Sequence, residues 1–170
     1  MGMSVPLRPP EPLTDDHQTS RFDSAEPALD DWLRRRAMAN QASGATRTYV
    51  VCEGKRVVAY YALASGAIAQ LGVPGKFRRN MPDPIPVAVL ARLAVDGHYQ
   101  RRGLGRALFR DAARRVAHAA DTIGIRGIIV HAISEKAKEF YVSLGFDPCP
   151  ADGMTLVVTL RDVRATLEAG

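Results

Sequence analysis

The sequence predicts one mixed α+β domain on a central mixed sheet, and three observations carry that prediction. Residues 46–52 and 56–64 are two β-rich apolar runs joined by Glu53-Gly54-Lys55, the pattern of an antiparallel hairpin. Residues 87–96 are an apolar run bounded by turn residues and without helical caps, which reads as a buried strand. Past the glycines that follow it, Leu104, Leu108, Ala112 and Val116 recur at i, i+4, the mark of a helix with one buried side. The same strand-then-helix order returns at 127–132 and 134–144, and no internal repeat is visible. At 170 residues the chain is long enough for one domain with a real core. Its 46% hydrophobic and 24% charged content places it among globular rather than disordered chains.

The opening segment carries Pro6, Pro9, Pro10 and Pro12, which leave room for a short edge strand ending near Leu13. Asp23-Ser24-Ala25-Glu26-Pro27 gives helix-start signals, an acidic first turn and a proline tolerated there. One helix is expected from this point to about Ala42, burying Leu29, Leu33 and Ala37, with Trp32 flanking the stripe. Arg34, Arg35 and Arg36 are consecutive, so they point roughly 100° apart and read as a solvated side rather than one binding patch. After the hairpin, 69–86 dissolves into Gly72, Pro74, Gly75, Pro82, Pro84 and Pro86 around Lys76, Arg78 and Arg79. It is expected to be a loop, and a loop of that length is usually functional or mobile. Basic loops are commonly just solvated, but this one enters the 87–96 strand directly. Further on, Ser134 is a candidate N-cap, and Gly145 stops the second helix as a C′ glycine does. Phe146 starts a strand, and 154–160 forms the last one.

Several function classes drop out. No apolar run approaches a membrane span, and the Pro-rich N-terminal segment lacks a signal-peptide core, so a cytoplasmic setting without membrane is expected. Cys52 and Cys149 have neither CxxC nor metal-ligand spacing, which suits a reducing compartment; Cys52, between Val51 and Glu53, reads as a core residue. His17, His98 and His118 show no ligand pairing, so no metal is expected. The net charge of +5 is uneven: up to Leu33 there are two basic and seven acidic residues, and all the excess positive charge lies beyond. That balance suits a polyanionic partner.

The most informative stretch joins the 87–96 strand to its helix: Gly97-His98-Tyr99-Gln100-Arg101-Arg102-Gly103-Leu104-Gly105-Arg106. The first N–H groups of a helix lack internal partners and sit at the positive end of its dipole. Glycine lets a diphosphate approach the main chain, while Arg101, Arg102 and Arg106 add positive charge. The stretch is not a Rossmann fingerprint, because Leu108 stands where a third small residue is needed. Nor is it a P-loop, because no Gly-Lys-Ser/Thr follows.

Gln100-x-x-Gly103-x-Gly105, directly after a strand and opening a helix, resembles the acetyl-CoA signature of the GNAT N-acetyltransferases. The resemblance implies a GNAT fold, a mixed sheet with an N-terminal antiparallel hairpin and helices on both faces, spanning 1–170 as a single domain. By periodicity alone Tyr141 is a core aromatic of its helix. Yet Phe140-Tyr141-x-x-Leu144-Gly145-Phe146 looks like the GNAT pattern in which a tyrosine points at the thioester sulfur, so the resemblance makes Tyr141 the acid that protonates the departing thiolate.

The likeness narrows further. Ala28-Leu29-Asp30-Asp31-Trp32-Leu33, Arg47-Thr48-Tyr49-Val50-Val51, the segment Arg78-Arg79-Asn80-Met81-Pro82-Asp83-Pro84-Ile85-Pro86, Leu90-Ala91-Arg92-Leu93-Ala94-Val95-Asp96 and Val130-His131-Ala132 are similar to those of the GNAT toxins of bacterial toxin–antitoxin modules. Those enzymes acetylate the α-amino group of aminoacyl-tRNA and block translation. The resemblance implies a homodimer and a separately encoded ribbon-helix-helix antitoxin. Carried over by position, the backbone of Leu93, Ala94 and Val95 holds pantetheine and polarises the thioester carbonyl. Arg101, Arg102, Gly103, Leu104, Gly105 and Arg106 hold the diphosphate, and Ser134 joins the cofactor contacts. Arg78, Arg79 and Arg92 belong to the tRNA-facing surface.

His131, between Val130 and Ala132 in a strand, reads as a packed histidine rather than a base. The central strand has no glutamate to deprotonate an amine, and no serine-type nucleophile elbow is present. Two other functions stay open on sequence alone: a GNAT enzyme acting on a small-molecule or protein amine, and a GNAT-like fold that only binds a nucleic acid or partner.

Overall fold

The computed structural model describes residues 7–169, so Pro6 lies outside the described residues. In chain order the elements are β1 (Glu11–Pro12), α1 (Pro27–Arg35), α2 (Ala37–Ser43), β2 (Arg47–Glu53), β3 (Arg56–Ile68), α3 (Gly75–Arg78) and β4 (Ile85–Val95). A 3₁₀ turn (Gly97–Tyr99) leads to α4 (Leu104–Ala119), β5 (Gly127–His131), α5 (Glu135–Ser143), β6 (Asp147–Pro148), β7 (Thr155–Thr159) and α6 (Leu160–Ala169). The seven strands form one sheet in the order β1-β2-β3-β4-β5-β7-β6. β4 and β5 pair in parallel, while β1–β2, β2–β3, β5–β7 and β6–β7 are antiparallel, so the sheet is mixed as expected. The chain divides into two compact units, one made of the chain up to Ala64 with Arg92–Asp111, the other of Ser65–Ala91 with the chain from Ala112 on.

In the first unit the hairpin forms where the apolar runs predicted it, with Tyr49 opposite Tyr61 and a bulge between Val51 and Cys52. Its core gathers Leu13, Phe22, Leu29, Leu33, Ala37, Val50, Cys52, Val57, Tyr60 and Ala94, with Trp32 packed against it. Leu29, Leu33 and Ala37 are thus the buried stripe, as their spacing required. The expected single helix is broken at Arg36 (φ −120, ψ −31) into α1 and α2. The N–H of Arg36 still reaches the Trp32 carbonyl at 2.8 Å, and the N–H of Asn40 the Arg36 carbonyl at 3.0 Å. The two short helices therefore stay in phase, and a periodic stripe cannot distinguish them from one long helix. Pro27 sits at the first helical position, where its missing N–H costs nothing.

In the second unit, 69–86 is not an open loop. Val73, Phe77 and Ile85 are buried with Val87, Ile129, Cys149 and Val157. Arg126 fastens α3 from outside, donating to the carbonyls of Phe77 and Lys76, both at 2.8 Å. Gly127 is required here: a Cβ at that position would lie 2.0 Å from the Val158 carbonyl oxygen and 2.9 Å from the Phe77 ring. β4 starts at Ile85, before Pro86, earlier than the prolines suggested. The last strand ends at Thr159, and α6 follows without a turn. The Thr159 hydroxyl accepts from the Asp162 N–H at 3.2 Å, capping that helix.

Candidate functional site

The residues singled out from sequence fall into two groups, one in each unit. In the first unit β4 delivers Arg92, Leu93, Ala94 and Val95 to the turn that opens α4. Ala94 is buried, and Leu93 and Val95 are half-buried. The turn is anchored by Asp96, whose side chain is fully buried. Its carboxylate accepts from the N–H groups of Asp23 and His98, both at 3.0 Å, and from Arg56 at 3.4 Å. Burial pushes the Asp96 pKa up, but the His98 and Asp23 N–H donors, the His98 ring and Arg56 outweigh it and hold it below the ordinary carboxylate value. Gln100 is the second anchor: its amide donates to the Val95 carbonyl at 2.9 Å and to the Ser24 carbonyl at 3.3 Å.

Just past these anchors the backbone takes an unusual path. Arg101 (φ +65) and Gly103 (φ +79) are both left-handed. Left-handed residues alternating with ordinary ones turn successive N–H groups towards one side, a concavity suited to anions. A Cβ at Gly103 would meet nothing within 4 Å, so the space over the turn is open. Helix α4 starts immediately, with the Ala107 N–H bonded to the Gly103 carbonyl at 3.1 Å. The N–H groups of its first turn have no acceptor within the helix and add to the positive potential. Arg102 braces the turn, its guanidinium 5.0 Å from the Tyr99 ring centre and bonded to the His98 carbonyl at 3.1 Å. Arg101 and Arg106 are exposed on the same turn. Leu108, Ala112 and Val116 are the buried stripe of α4, as predicted.

Arg92 also has a defined seat. Its guanidinium lies 5.1 Å over the Trp32 ring, and Trp32 stacks on Tyr60 with 6.0 Å between centroids. The Tyr60 hydroxyl closes the ladder on the Leu29 carbonyl at 2.6 Å. Trp32 was legible only as a flanking residue, because a stack between distant segments leaves no spacing to read.

In the second unit Tyr141 is buried on α5 between Phe140 and Phe146, with edge-to-face ring distances of 5.3 and 5.6 Å. Burial pushes its phenol pKa up to about 12, so it holds its proton at any neutral pH. Ser134 caps α5 as expected, its hydroxyl accepting from the Ala137 N–H at 3.1 Å. Arg78 closes α3 and Arg79 follows it, both exposed. Their neighbour Lys76 is paired with Asp162.

Two histidines differ from expectation. His131 is exposed at the end of β5, not packed, and its Nδ1 lies 2.9 Å from the Thr155 hydroxyl. His17, read as lacking ligand partners, lies with Glu11 and Cys52, and the three donor atoms fall within 4.8 Å of one another. The Thr14 N–H donates to His17 Nδ1 at 2.9 Å, which leaves the proton on Nε2 to bind Glu11 at 3.1 Å. Burial first, then the charge of Glu11, pushes the Cys52 thiol up to about 11 against the opposing charge of Arg8. As hydrogen-bonded, the cluster is a brace on β1 rather than a ligand set.

Comparison with known proteins decides what this architecture is. The family model of the acetyltransferase (GNAT) domain matches residues 44–148. This chain belongs to the GNAT acetyltransferases. Among curated GNAT relatives it is 49% identical to a tRNA-acetylating toxin of Mycobacterium tuberculosis, over 98% of each chain. Among solved structures it matches AtaT complexed with acetyl-methionyl-tRNAfMet, with a TM-score of 0.87, 30% identity, and coverage of 95% of this chain and 99% of that one. It also matches an AtaT mutant toxin bound to the C-terminus of the antitoxin AtaR and acetyl-CoA, with a TM-score of 0.82, 30% identity, and coverage of 96% and 99%. The GNAT fold expected from the glycine turn is therefore the observed one. No helix of the described residues is long and apolar enough to cross a membrane.

Proposed function

We propose that this chain transfers acetyl from acetyl-CoA to the α-amino group of aminoacyl-tRNA and blocks translation as the toxin of a toxin–antitoxin module. The observation that carries this is the 49% identity to a tRNA-acetylating toxin across 98% of both chains, which takes in the basic α3 segment and the Arg92 strand as well as the cofactor turn. The family match at 44–148 runs through both compact units, which supports reading them as one acetyltransferase domain.

The residues take the following roles. The backbone of Leu93, Ala94 and Val95 holds pantetheine and polarises the thioester carbonyl. The turn from Arg101 through Arg102, Gly103, Leu104 and Gly105 to Arg106 holds the diphosphate, supported by its left-handed residues and the dipole of α4. Ser134 joins the cofactor contacts. Arg78, Arg79 and Arg92 face tRNA phosphates. The nitrogen of the acceptor attacks the thioester carbon, the carbon–sulfur bond breaks, and the proton lost by the amine is made up at sulfur. Tyr141 donates to that sulfur; its raised pKa keeps the phenol protonated until the thiolate forms.

The acceptor class follows from protonation. At pH 7 about 0.04% of lysine side chains are unprotonated, against about 10% of α-amines, an advantage on the order of 250-fold. An enzyme with no carboxylate in its central strand is suited to the α-amine. A tRNA substrate supports a cytoplasmic setting, and the resemblance adds a homodimer and a ribbon-helix-helix antitoxin. The test is acetyl-CoA turnover with charged tRNA, with uncharged tRNA as control. Acetyl label on the charged form alone is expected; equal labelling of both would refute the α-amine as acceptor.

A further inference from the structure

Trp32 is the single tryptophan of the chain, half-buried beside the Leu29 and Leu33 stripe of α1. Its ring lies nearly parallel to that of Tyr60, with 9° between the planes. Tyr60 is fully buried, meets Phe22 edge-on at 5.5 Å, and donates its hydroxyl to the Leu29 carbonyl at 2.6 Å. Burial pushes that phenol far up, against the opposing charge of Arg92, so the hydroxyl keeps its proton and its bond at neutral pH. Trp32 is thereby held from two elements, by its own backbone on α1 and by the stack on β3.

Side chains alternate along β4, which sets Arg92 on the same face as Ala94, a member of the core that holds Leu29, Leu33 and Tyr60. There the Arg92 guanidinium lies 5.1 Å from the Trp32 ring centre. Leu29, Trp32, Tyr60 and Arg92 all belong to the first compact unit. A guanidinium seated on an aromatic face keeps in-plane N–H donors for oxygens, and its flat fork fits phosphate. A long side chain held in place before binding has less freedom to lose when bound. Arginine–aromatic pairs are common as plain packing. This one is rigid, because the ring beneath the guanidinium rests on a buried tyrosine whose own hydroxyl is tied.

We propose that Trp32 is a positioning residue for tRNA: it holds the Arg92 guanidinium ready for a phosphate and touches no substrate itself. This rests on Arg92 facing tRNA, as read above.

The experiment measures kcat, the KM for charged tRNA and acetyl-CoA affinity in wild type, Trp32→Leu, Trp32→Phe, Arg92→Gln and the Trp32→Leu/Arg92→Gln double variant, with circular dichroism to verify folding. Trp32→Leu is expected to raise the KM about three- to tenfold, the usual cost of ordering one long side chain, with kcat and acetyl-CoA affinity held. Trp32→Phe keeps an aromatic face and should recover part of that loss. In the Arg92→Gln background Trp32→Leu should add nothing, because it acts only through the arginine. Tryptophan fluorescence gives a second readout with Trp32 in place. Arg92→Gln should shift the emission of the free protein, and charged tRNA should change wild-type emission more than that of Arg92→Gln. Additive losses, an unchanged KM in Trp32→Leu, a loss shared by acetyl-CoA affinity, Trp32→Phe no better than Trp32→Leu, or emission indifferent to Arg92 overturns the proposal while Arg92 keeps its tRNA contact. An unchanged KM in Arg92→Gln overturns that contact and the proposal together.

Discussion

The Asp96 carboxylate accepts the Asp23 N–H at 3.0 Å across 73 residues of sequence, and the Gly97 N–H returns the tie to the Asp23 carbonyl at 2.8 Å. This pair of hydrogen bonds between the entry to α1 and the end of β4 sets where the turn before α4 begins. The folded pKa of Asp96 lies below its unfolded value of about 3.9, so its stabilisation is complete above that value and is lost as pH falls through the folded pKa. Asp96→Asn should therefore cost about 1.5–3 kcal/mol at pH 7, the usual value of hydrogen bonds to a charged group. The gap from wild type should narrow below pH 4. Urea unfolding at both pH values measures it; a gap independent of pH would mean that the charge is not what matters.

At Gly103 strain and charge can be separated. Asn and Asp tolerate the left-handed region alike and have nearly the same shape, and the space around Gly103 is open. Gly103→Asn should keep most acetyl-CoA affinity. Gly103→Asp should lose it sharply, because it sets a negative charge where the diphosphate is proposed to sit. Calorimetry on the two folded variants gives the comparison, and equal affinities would remove the diphosphate from this turn.

The exposed pair Arg78 and Arg79 is proposed to face tRNA phosphates. Arg78→Glu with Arg79→Glu should raise the KM for tRNA while acetyl-CoA affinity holds. The difference should shrink with added salt, since counterion release weakens and exposed charges are screened. Kinetics across a salt series test this; an unchanged KM at low salt would leave these residues as ordinary solvated charge.

Tyr141→Phe removes one oxygen from a buried ring whose phenol lies near pKa 12. The fold and acetyl-CoA binding should persist, and turnover should fall about 10²–10⁴-fold, the usual weight of one general acid. Because the phenol is protonated well past neutrality, wild-type turnover should show no loss assignable to Tyr141 between pH 7 and pH 10. Near-wild-type turnover in the variant would take the acid role from this residue.

Local periodicity explains what could be read in advance. Leu108, Ala112 and Val116 advertise α4 at every turn, the runs around Glu53-Gly54-Lys55 advertise a hairpin, and Gln100-x-x-Gly103-x-Gly105 marks a strand–turn–helix. Val73, Phe77 and Ile85 gave no such signal: proline and glycine separate them, and only distant Ile129, Cys149 and Val157 make them core. Helix α6 was missed because β7 runs into it with no intervening turn, although Leu160 and Val163 at i, i+3 and the Thr159 cap were there to be read. Within the site, the glycine turn and the Ser134 cap are local patterns. The Arg92–Trp32–Tyr60 stack, the Asp23–Asp96 tie and the His131–Thr155 contact join residues far apart in sequence, and no spacing rule reports them.

The central claim is that the acceptor is the α-amine of charged tRNA, and the ratio of kcat/KM for aminoacyl-tRNA to that for a lysine peptide at pH 7 tests it most directly. The free-amine fractions alone favour the α-amine by about 250-fold, so a ratio of at least two orders of magnitude is expected. Equal or faster turnover on the lysine peptide would contradict it.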